Sequence, residues 1–338
     1  MLGRARDVLR AYRAAYENWP WVLLNLALRG RARAATRDGR VVEGDDVILG
    51  AIARLYALGL GDRAVQSFWR VWDTQRGEAA AEGASPVVSA LLASGKLYAL
   101  RYELRCCRLA DVSEDLSYIV VDVGGRRAVI YGWSGAPLAD YDDYFNVLDV
   151  RNKSVLDVGA YVGDSAILFV LRGARRVVAV EPSPWAYNVA KKNVEANGLG
   201  DVITLVNCAV AREDGKVLML PAAETSSGFR AVIAAGGQVP VPTCTLDSLI
   251  ERYGPFDVVK MDCEGCEHES IPYSRRIGEV KEILVEYHGG VYETIVTRLK
   301  SEFKTVKFAK PLEGGKLYDR PVVAKIGDLV VGLVYASK

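Results

Sequence analysis

A carboxylate stands directly before a glycine-rich turn near the middle of the chain. Residues 155–164 read Val-Leu-Asp-Val-Gly-Ala-Tyr-Val-Gly-Asp, which predicts an apolar strand, a turn and then a helix. Glycines in such a turn let the backbone approach a ligand closely. The spacing is Gly-x-x-x-Gly, and Asp157 at the strand end would repel a pyrophosphate. The pattern therefore favours a ligand with a cationic amino-acid end, and S-adenosylmethionine carries both an ammonium and a sulfonium.

A second acid follows at a distance typical of nucleoside sites. Residues 176–184 read Arg-Val-Val-Ala-Val-Glu-Pro-Ser-Pro, another buried-strand pattern that ends in Glu181. In a doubly wound sheet, an acid about 20 residues after the glycine turn accepts hydrogen bonds from ribose hydroxyls. A single Gly-x-x-x-Gly is also compatible with a plain packing turn, but Glu181 at this offset favours a nucleoside ligand.

Polar residues also end the later predicted strands. Ligands of open parallel sheets bind beyond the carboxyl ends of the strands, so these residues are candidates for one polar site. They are Asp157, Glu181, the segment Asn207-Cys208-Ala209, Asp262 with Glu264, and Glu286 with His288.

Four segments resemble the FkbM-type methyltransferases. They are Asp157-Val158-Gly159-Ala160, Glu181-Pro182, Thr245-Leu246-Asp247-Ser248-Leu249 and Val259-Lys260-Met261-Asp262-Cys263-Glu264-Gly265-Cys266-Glu267. The last one is the most specific, because the family typically reads Lys-x-Asp-x-Glu-Gly-x-Glu there; the two cysteines depart from its usual small or aliphatic residues. The resemblance spans roughly residues 145–310. It implies a Rossmann-like class I enzyme that uses S-adenosylmethionine, mostly to methylate hydroxyls of sugars, glycolipids or natural products.

The residues receive roles on this basis. Asp157, Gly159 and Gly163 are expected to hold the methionine end of S-adenosylmethionine, Glu181 the ribose, and Asn207, Cys208 and Ala209 the adenine. Further expected cofactor contacts are Ala160, Tyr161, Asp164, Pro182, Ser183 and Asp262, with Asp164 also a candidate helix cap. The candidate catalytic residues are Lys260, Asp262, Glu264 and His288, because histidine and carboxylates can take the proton of an acceptor hydroxyl.

Metal binding receives less support from the sequence. Cys263 and Cys266 form one C-x-x-C without a second, so a packing role is favoured over zinc, which needs four ligands. Asp262, Glu264, Glu286 and His288 could gather a hard cation such as magnesium. No metal ligand is assigned.

The chain organisation predicts an α/β protein. Residues 1–110 form an N-terminal helical region, residues 111–144 a small β cap with a strand pair around Gly124-Gly125, and residues 145–338 the Rossmann-like domain, a doubly wound, mostly parallel sheet. Helices are expected at 7–16, 46–60 and 62–72, with a loop at 76–85. The irregular stretch 215–243 could form a flap over a substrate.

Composition bounds the setting of the protein. The 338 residues carry a net charge of +1, so no global field points to nucleic acid or membrane. No transmembrane span or signal peptide is read, which predicts a cytoplasmic protein. Six cysteines in this length do not predict a disulfide scaffold. Scarce glutamine and methionine hint at a thermophilic source.

Three functions stay open at this point. The favoured function is O-methylation of a sugar, glycolipid or other small acceptor, with residues 1–110 shaping the acceptor pocket or a homodimer contact. The first alternative is an RNA or protein methyltransferase, whose substrate platform would be the N-terminal forty residues with their nine arginines. The second is a non-catalytic nucleoside-binding module. A nicotinamide oxidoreductase is disfavoured by Asp157 and the missing Gly-x-Gly-x-x-Gly.

Overall fold

We describe the protein from a computed structural model. The residues it describes are 2–57, 69, 107–113, 117–132, 144, 146–221, 238–289, 292–311, 315–326 and 329–338. The chain divides into two compact units, Met1–Asp122 with Trp133–Ala139, and Val123–Gly132 with Asp140–Lys338. Three expected features lie wholly or partly outside the described residues. They are the helix at 62–72, apart from residue 69, the loop at 76–85, and residues 222–237 of the possible flap at 215–243.

The first unit contains helices and two strand pairs. The fully buried Tyr16 follows the first helix, and its hydroxyl donates to the Leu49 carbonyl at 2.6 Å. This hydrogen bond joins the end of that helix to the helix that contains Leu49. The elements are α1 (Leu2–Ala15), α2 (Trp19–Arg29), α3 (Asp46–Ala57), the antiparallel pair β1 (Arg31–Ala35) and β2 (Val41–Asp45), and the antiparallel pair β3 (Arg108–Val112) and β4 (Tyr118–Val123).

The prediction that residues 1–110 are helical is wrong for the β1–β2 hairpin. Both strands alternate between exposed and buried residues, which is the period of two that places one face of a hairpin on a core. Gly39 in the turn has φ +84°, a left-handed conformation that glycine adopts without strain. The abundance of arginine and alanine hid this alternation, because both residues also favour helices.

A nine-stranded sheet dominates the second unit. Its strands are β6 (Ser154–Val158), β7 (Arg176–Val180), β8 (Ile203–Val206), β12 (Val258–Met261), β13 (Glu282–His288), β14 (Thr305–Ala309), β15 (Leu317–Tyr318), β16 (Ala324–Ile326) and β17 (Leu329–Ser337). Their order in the sheet is β15-β14-β17-β13-β12-β6-β7-β8, with β16 beside β17. Strands β6, β7, β8, β12 and β13 run parallel, while β17 pairs antiparallel with both β13 and β14.

Helices connect the parallel strands. They are α4 (Asp164–Leu171), α5 (Pro184–Ala196), α6 (Leu246–Tyr253), the short α7 (Cys266–Ser270) and α8 (Glu293–Glu302). Local chemistry sets their starts: Ser183 caps α5, accepting from the Ala186 N–H, and Pro184 occupies its first turn. Thr245 and Ser248 form a capping box on α6. The sequence predicts one helix over residues 266–275, but α7 ends at Ser270 and is followed by a 3₁₀ turn at Ile271–Tyr273.

The sheet matches the predicted doubly wound architecture. All five residues of β6 are buried, as expected for a strand covered on both faces. The apolar runs predict strands at 154–158, 176–181, 202–207, 256–262, 282–287 and 304–309, and β6, β7, β8, β12, β13 and β14 begin and end within two residues of these bounds. The strand expected after Gly125 is β5 (Arg126–Tyr131), whose backbone is held by two asparagines of the α5 region: Asn197 Oδ1 accepts from the Val129 N–H and Asn193 Oδ1 from the Tyr131 N–H.

A smaller sheet and a disulfide lie beside the main sheet. Strands β9 (Ala209–Val210), β10 (Val217–Pro221) and β11 (Gln238–Cys244) form a three-stranded sheet in the order β10-β11-β9. A disulfide joins Cys208 to Cys244, 36 residues apart. The structure thus contains disulfides that the cysteine count did not predict, since no short spacing marks this pair. None of the helices in the described part of the chain has the length and apolar character needed to cross a membrane.

Candidate active site

The ends of β6 and β12 meet in backbone contact. The Asp262 N–H donates to the Val158 carbonyl at 3.0 Å, and Gly159 follows with φ +77°. A Cβ at residue 159 would lie 1.7 Å from the Asp262 carbonyl oxygen. Only glycine therefore fits here, and the glycine turn lies directly against the loop after β12.

Asp157 and Lys260 form a buried ion pair beneath this contact. Lys260 Nζ lies 3.2 Å from Asp157 Oδ1 and donates to the Gly159 carbonyl at 2.9 Å, while Ser165 Oγ donates to Asp157 Oδ2 at 2.6 Å. Burial raises the pKa of the Asp157 carboxyl, and Lys260 and Ser165 oppose that rise. Burial alone would lower the pKa of Lys260, but Asp157 and Asp262 outweigh it and raise that pKa. The ion pair thus fixes the backbone of the glycine turn through the hydrogen bond from Lys260 to the Gly159 carbonyl. Sequence analysis instead predicted that Asp157 contacts the ligand and that Lys260 is catalytic.

Glu181 ends β7 beside the same turn. Its Oε2 accepts from the Tyr161 N–H and its Oε1 from the Ser183 N–H, both at 2.8 Å, so the carboxylate is fixed by backbone donors on two sides. Burial raises the pKa of Glu181 to about 7. Tyr161 has φ +47°, and its ring lies 5.9 Å from that of Trp185. Each carboxylate oxygen retains a second lone pair, the acceptor that a ribose hydroxyl needs.

The segment after β8, which is predicted to flank the adenine, is held by contacts of its own. Asn207 Nδ2 donates to the carbonyls of Glu181 and Pro182 at 2.8 and 3.1 Å, which joins the ends of β7 and β8. Cys208 and Ala209 are buried, and the sulfur of Cys208 is part of the disulfide. The expected capping role of Asp164 is corrected by one position: Gly163 is the cap of α4, and Asp164 is the first helical residue.

Four carboxylates surround His288 at the end of β13. Its Nδ1 lies 3.1 Å from Oε1 of the fully buried Glu267, which also accepts from the His288 backbone N–H at 2.9 Å. Burial alone would lower the pKa of His288, but the hydrogen bond with Glu267 and the charges of its carboxylate neighbours raise it to about 9. The other ring nitrogen, Nε2, faces three carboxylates, which are Glu264 at 3.5 Å, Glu286 at 3.7 Å and Asp262 at 3.8 Å.

A tyrosine from outside the family resemblance joins this group. The buried Tyr144 Oη lies 2.8 Å from Asp262 Oδ2 and 3.1 Å from Glu286 Oε2. A phenol has one proton, so it can donate to one of the two carboxylates at a time. Lys260 Nζ lies 4.0 Å from Asp262, which connects this group to the ion pair under the glycine turn. The arrangement concentrates negative charge at the ends of β12 and β13.

Glu264 occupies the most open position in this group. Its side chain is 31% exposed, against 23% for Asp262 and 8% for His288. Burial raises the pKa of Glu264 even though His288 opposes that effect. Glu264 also has φ +57°, and it lies between Cys263 and Cys266, which form a second disulfide. The expected packing role of the two cysteines holds, since both pack against the core, but their sulfurs are bonded to each other and are not thiolate ligands.

The structure brings the predicted strand-end residues to one edge. It also adds Ser165, Tyr144 and Glu267, which sequence reasoning did not select, and gives Glu286 a place in the group. Glu267 had a detectable signal, because it is the last acid of the Lys-x-Asp-x-Glu-Gly-x-Glu pattern. Tyr144 had none, because it precedes the first strand of the domain and lies outside the segments that resemble the family.

The fold and the site together define a class. In the main sheet the antiparallel strand β17 lies between β13 and β14, and the glycine turn after β6 is followed by an acid at the end of β7. This arrangement is the architecture of the class I S-adenosylmethionine-dependent methyltransferases. Residues 157–299 match the family described as the methyltransferase FkbM domain. This match confirms the expected resemblance over residues 157–299 and implies S-adenosylmethionine as cofactor.

Curated relatives match short segments. The chain is 37% identical over 54 residues to a protein of Methanocaldococcus jannaschii whose name describes it as a protein N5-glutamine methyltransferase, covering 16% of this chain and 27% of the relative. It is 44% identical over 63 residues to protein arginine N-methyltransferase 1.1 of Arabidopsis thaliana, covering 19% and 16%. The chain thus spans about a quarter or less of these two relatives.

Solved structures are more distant. The M. jannaschii tRNA m1G37 methyltransferase has 13% identity and a TM-score of 0.38, with 65% of this chain and 56% of that chain covered. A likeness at this score carries no inference about the acceptor.

Proposed function

We propose that the protein transfers the methyl group of S-adenosylmethionine to a hydroxyl of a sugar, glycolipid or other small acceptor. The observation that carries the proposal is that Glu264, a partly exposed carboxylate with a raised pKa, belongs to the loop after β12 whose backbone lies directly against the glycine turn. The FkbM match supports methyl transfer, and the carboxylate supports removal of a hydroxyl proton.

In this proposal the glycine turn and Glu181 would hold the cofactor. Glu181 would accept hydrogen bonds from the ribose hydroxyls, and the carboxylates at the end of β12 would favour the positive charge of the sulfonium. Asp157 acts indirectly, because it is covered and holds the turn through Lys260 and Ser165. The methyl donor is already activated, so positioning supplies most of the rate.

The proton of the acceptor passes to Glu264 as the acceptor oxygen forms its bond to the methyl carbon and the carbon–sulfur bond breaks. His288 is not suited to take this proton near neutral pH, because its pKa of about 9 keeps it charged. It instead holds Asp262, Glu264 and Glu286 in place as a cation among them. This changes the role first predicted for His288 from base to positioning residue.

The test uses one isosteric substitution. Glu264→Gln is expected to lower turnover with the acceptor by about 10²–10⁴-fold, the usual contribution of a general base, while the affinity for S-adenosylhomocysteine stays within twofold. Glu269→Gln, an exposed carboxylate on the adjoining α7, is the matched control and is expected to keep full turnover. Full turnover in Glu264→Gln would remove the assigned base.

A protein side chain is the second candidate acceptor. The excess of carboxylates at the ends of β12 and β13 suits a cationic group such as a guanidinium, and it would repel the polyanionic backbone of RNA. The two curated relatives are named for protein substrates, which agrees with this alternative. Incubation with labelled S-adenosylmethionine and fractionated extract separates the candidates: label in lipid or glycan supports the first, label in protein the second. Cofactor binding with no labelled product in any fraction would support a non-catalytic module.

Within the same proposal, the first unit serves acceptor recognition, because every residue expected to contact the cofactor lies in the second unit. The proposed compartment of the protein is the cytoplasm. A fragment that begins at Val123 is expected to bind S-adenosylhomocysteine and to lose transfer to the acceptor. Loss of cofactor binding in a folded fragment would contradict this division.

A further inference from the structure

One ring nitrogen of His288, Nε2, faces three carboxylates without a hydrogen bond to any of them. The imidazole is 8% exposed, and among the described residues no group lies within ordinary hydrogen-bonding distance of Nε2, whose nearest oxygen is 3.5 Å away. One ligand atom each from Asp262, Glu286 and His288 lie within 4.8 Å of one another. A buried nitrogen is thus directed at a small space lined by oxygens.

The separations suit ligands of one shared ion. Two ligands that each lie about 2.1 Å from an ion in tetrahedral or octahedral geometry are roughly 3.0–3.4 Å apart. Nε2 lies 3.7 Å from Glu286 Oε1 and 3.8 Å from Asp262 Oδ1, so a contraction of roughly half an ångström would bring Nε2 and either carboxylate to the separation of two ligands on one ion. The two carboxylates lie within 4.8 Å of each other, so they would also move toward the ion.

Glu267 supplies a second and independent feature. Its buried carboxylate holds the Nδ1 side of the ring at 3.1 Å and the backbone N–H of His288 at 2.9 Å. Histidines that bind metals almost always direct their other ring nitrogen to a carboxylate or a carbonyl, which fixes the tautomer and leaves Nε2 with a lone pair. Glu267 therefore prepares His288 as a ligand while lying outside the set that would touch the ion.

We propose that Asp262, Glu286 and His288 bind a divalent transition-metal ion, such as Mn²⁺ or Zn²⁺, at the end of β12 and β13. One imidazole with two carboxylates is a mixed donor set that suits these ions better than Ca²⁺. The ion takes the place of the proton on Nε2 as the positive charge between Asp262 and Glu286, the two carboxylates that share the Tyr144 hydroxyl. Glu264 is outside this set, so its proposed role as base is unaffected.

The experiment measures the metal directly on the full chain. After treatment with a chelator, Mn²⁺ is titrated into the protein and free Mn²⁺ is followed by electron paramagnetic resonance, with Zn²⁺ and Mg²⁺ as competitors. We expect one Mn²⁺ per chain, displaced by Zn²⁺ more readily than by Mg²⁺. Glu286→Gln and Asp262→Asn should each weaken binding at least tenfold, and Glu267→Gln should weaken it about 10–100-fold. Glu269→Gln is the matched control and should bind as the wild type does.

The outcomes separate this site from the proposed methyl transfer. Affinity for S-adenosylhomocysteine is measured on the same samples and reports whether each variant is folded with its cofactor site intact. The absence of Mn²⁺ and Zn²⁺ binding at millimolar concentration would overturn the proposal, as would binding that Glu286→Gln and Asp262→Asn leave unchanged. Failure to methylate any acceptor bears on the proposed function alone.

Discussion

The Lys260 ammonium lies 3.2 Å from the Asp157 carboxylate, and neither side chain is open to solvent. Removing one partner leaves the other charge buried without compensation, which costs about 3–5 kcal/mol. We expect Lys260→Met to lower the free energy of unfolding by this amount in urea titrations. Asp157→Asn combined with Lys260→Met should recover part of the loss. Lys216→Met, which removes an exposed pair with Glu213, is the control and should have little effect; equal losses in both single variants would contradict the finding.

Glu181 carries the expected contact with the ribose. Glu181→Gln is expected to weaken S-adenosylhomocysteine binding by about 1.5–3 kcal/mol, roughly ten- to a hundredfold, because it removes the charge from a hydrogen-bond acceptor. Calorimetry on the purified variant measures this change. Asp149→Asn, in an exposed pair with Arg151 and away from the turn, is the control for the loss of a carboxylate. An unchanged affinity in a folded Glu181→Gln protein would remove the assignment.

The same residue predicts a dependence of stability on pH. The unfolded Glu181 carboxyl ionises near pH 4.5, whereas the folded one keeps its proton until about pH 7. The folded state therefore binds more protons in this window, and stability falls as pH rises from 4.5 to 7, by about 3 kcal/mol from this residue. The difference in unfolding free energy between the wild type and Glu181→Gln should change across this window and level off above it. If the difference in unfolding free energy between the two proteins did not change with pH, burial would not raise the pKa of Glu181.

Gly159 allows a direct steric test. Gly159→Ala places a Cβ against the Asp262 carbonyl and forces alanine to φ +77°, so we expect a loss of roughly 2–5 kcal/mol in stability together with cofactor binding. Gly198→Ala is the matched control: Gly198 has φ +63°, but a Cβ there has no neighbour within 4 Å. Thermal unfolding that shifts equally in the two variants would indicate that backbone conformation alone causes the effect.

The Cys208–Cys244 disulfide should stabilise the domain. Closing a loop between residues 36 apart lowers the entropy of the unfolded chain by an amount worth about 3–4 kcal/mol. We expect Cys208→Ala with Cys244→Ala to lose this amount in unfolding titrations. Cys263→Ala with Cys266→Ala, which opens a loop of only three residues' separation, should lose less. A larger loss in the second pair would mean that loop closure is not the main term.

Sequence periodicity predicted the sheet because each central strand is buried on both faces and reads as one apolar run, as in β6. The strand-end rule then placed Asp157, Glu181, Asp262 and His288 at one edge. The contacts of these residues were beyond such rules, since Lys260 reaches Asp157 from a neighbouring strand and Glu267 reaches His288 across 21 positions. The strands β9, β10 and β11 were also missed. β11 alternates between exposed and buried residues, but Pro240 and Pro242 within it are typical of irregular segments and hid the strand.

Only hydrogen on the Cα of residue 159 fits between the turn expected to carry the methyl donor and the loop expected to face the acceptor, because a Cβ would meet the Asp262 carbonyl. A shift of either loop toward the other is therefore blocked by backbone atoms. We expect that a change of acceptor is easier to obtain through side chains such as Glu264 than through a change in the distance between these two loops.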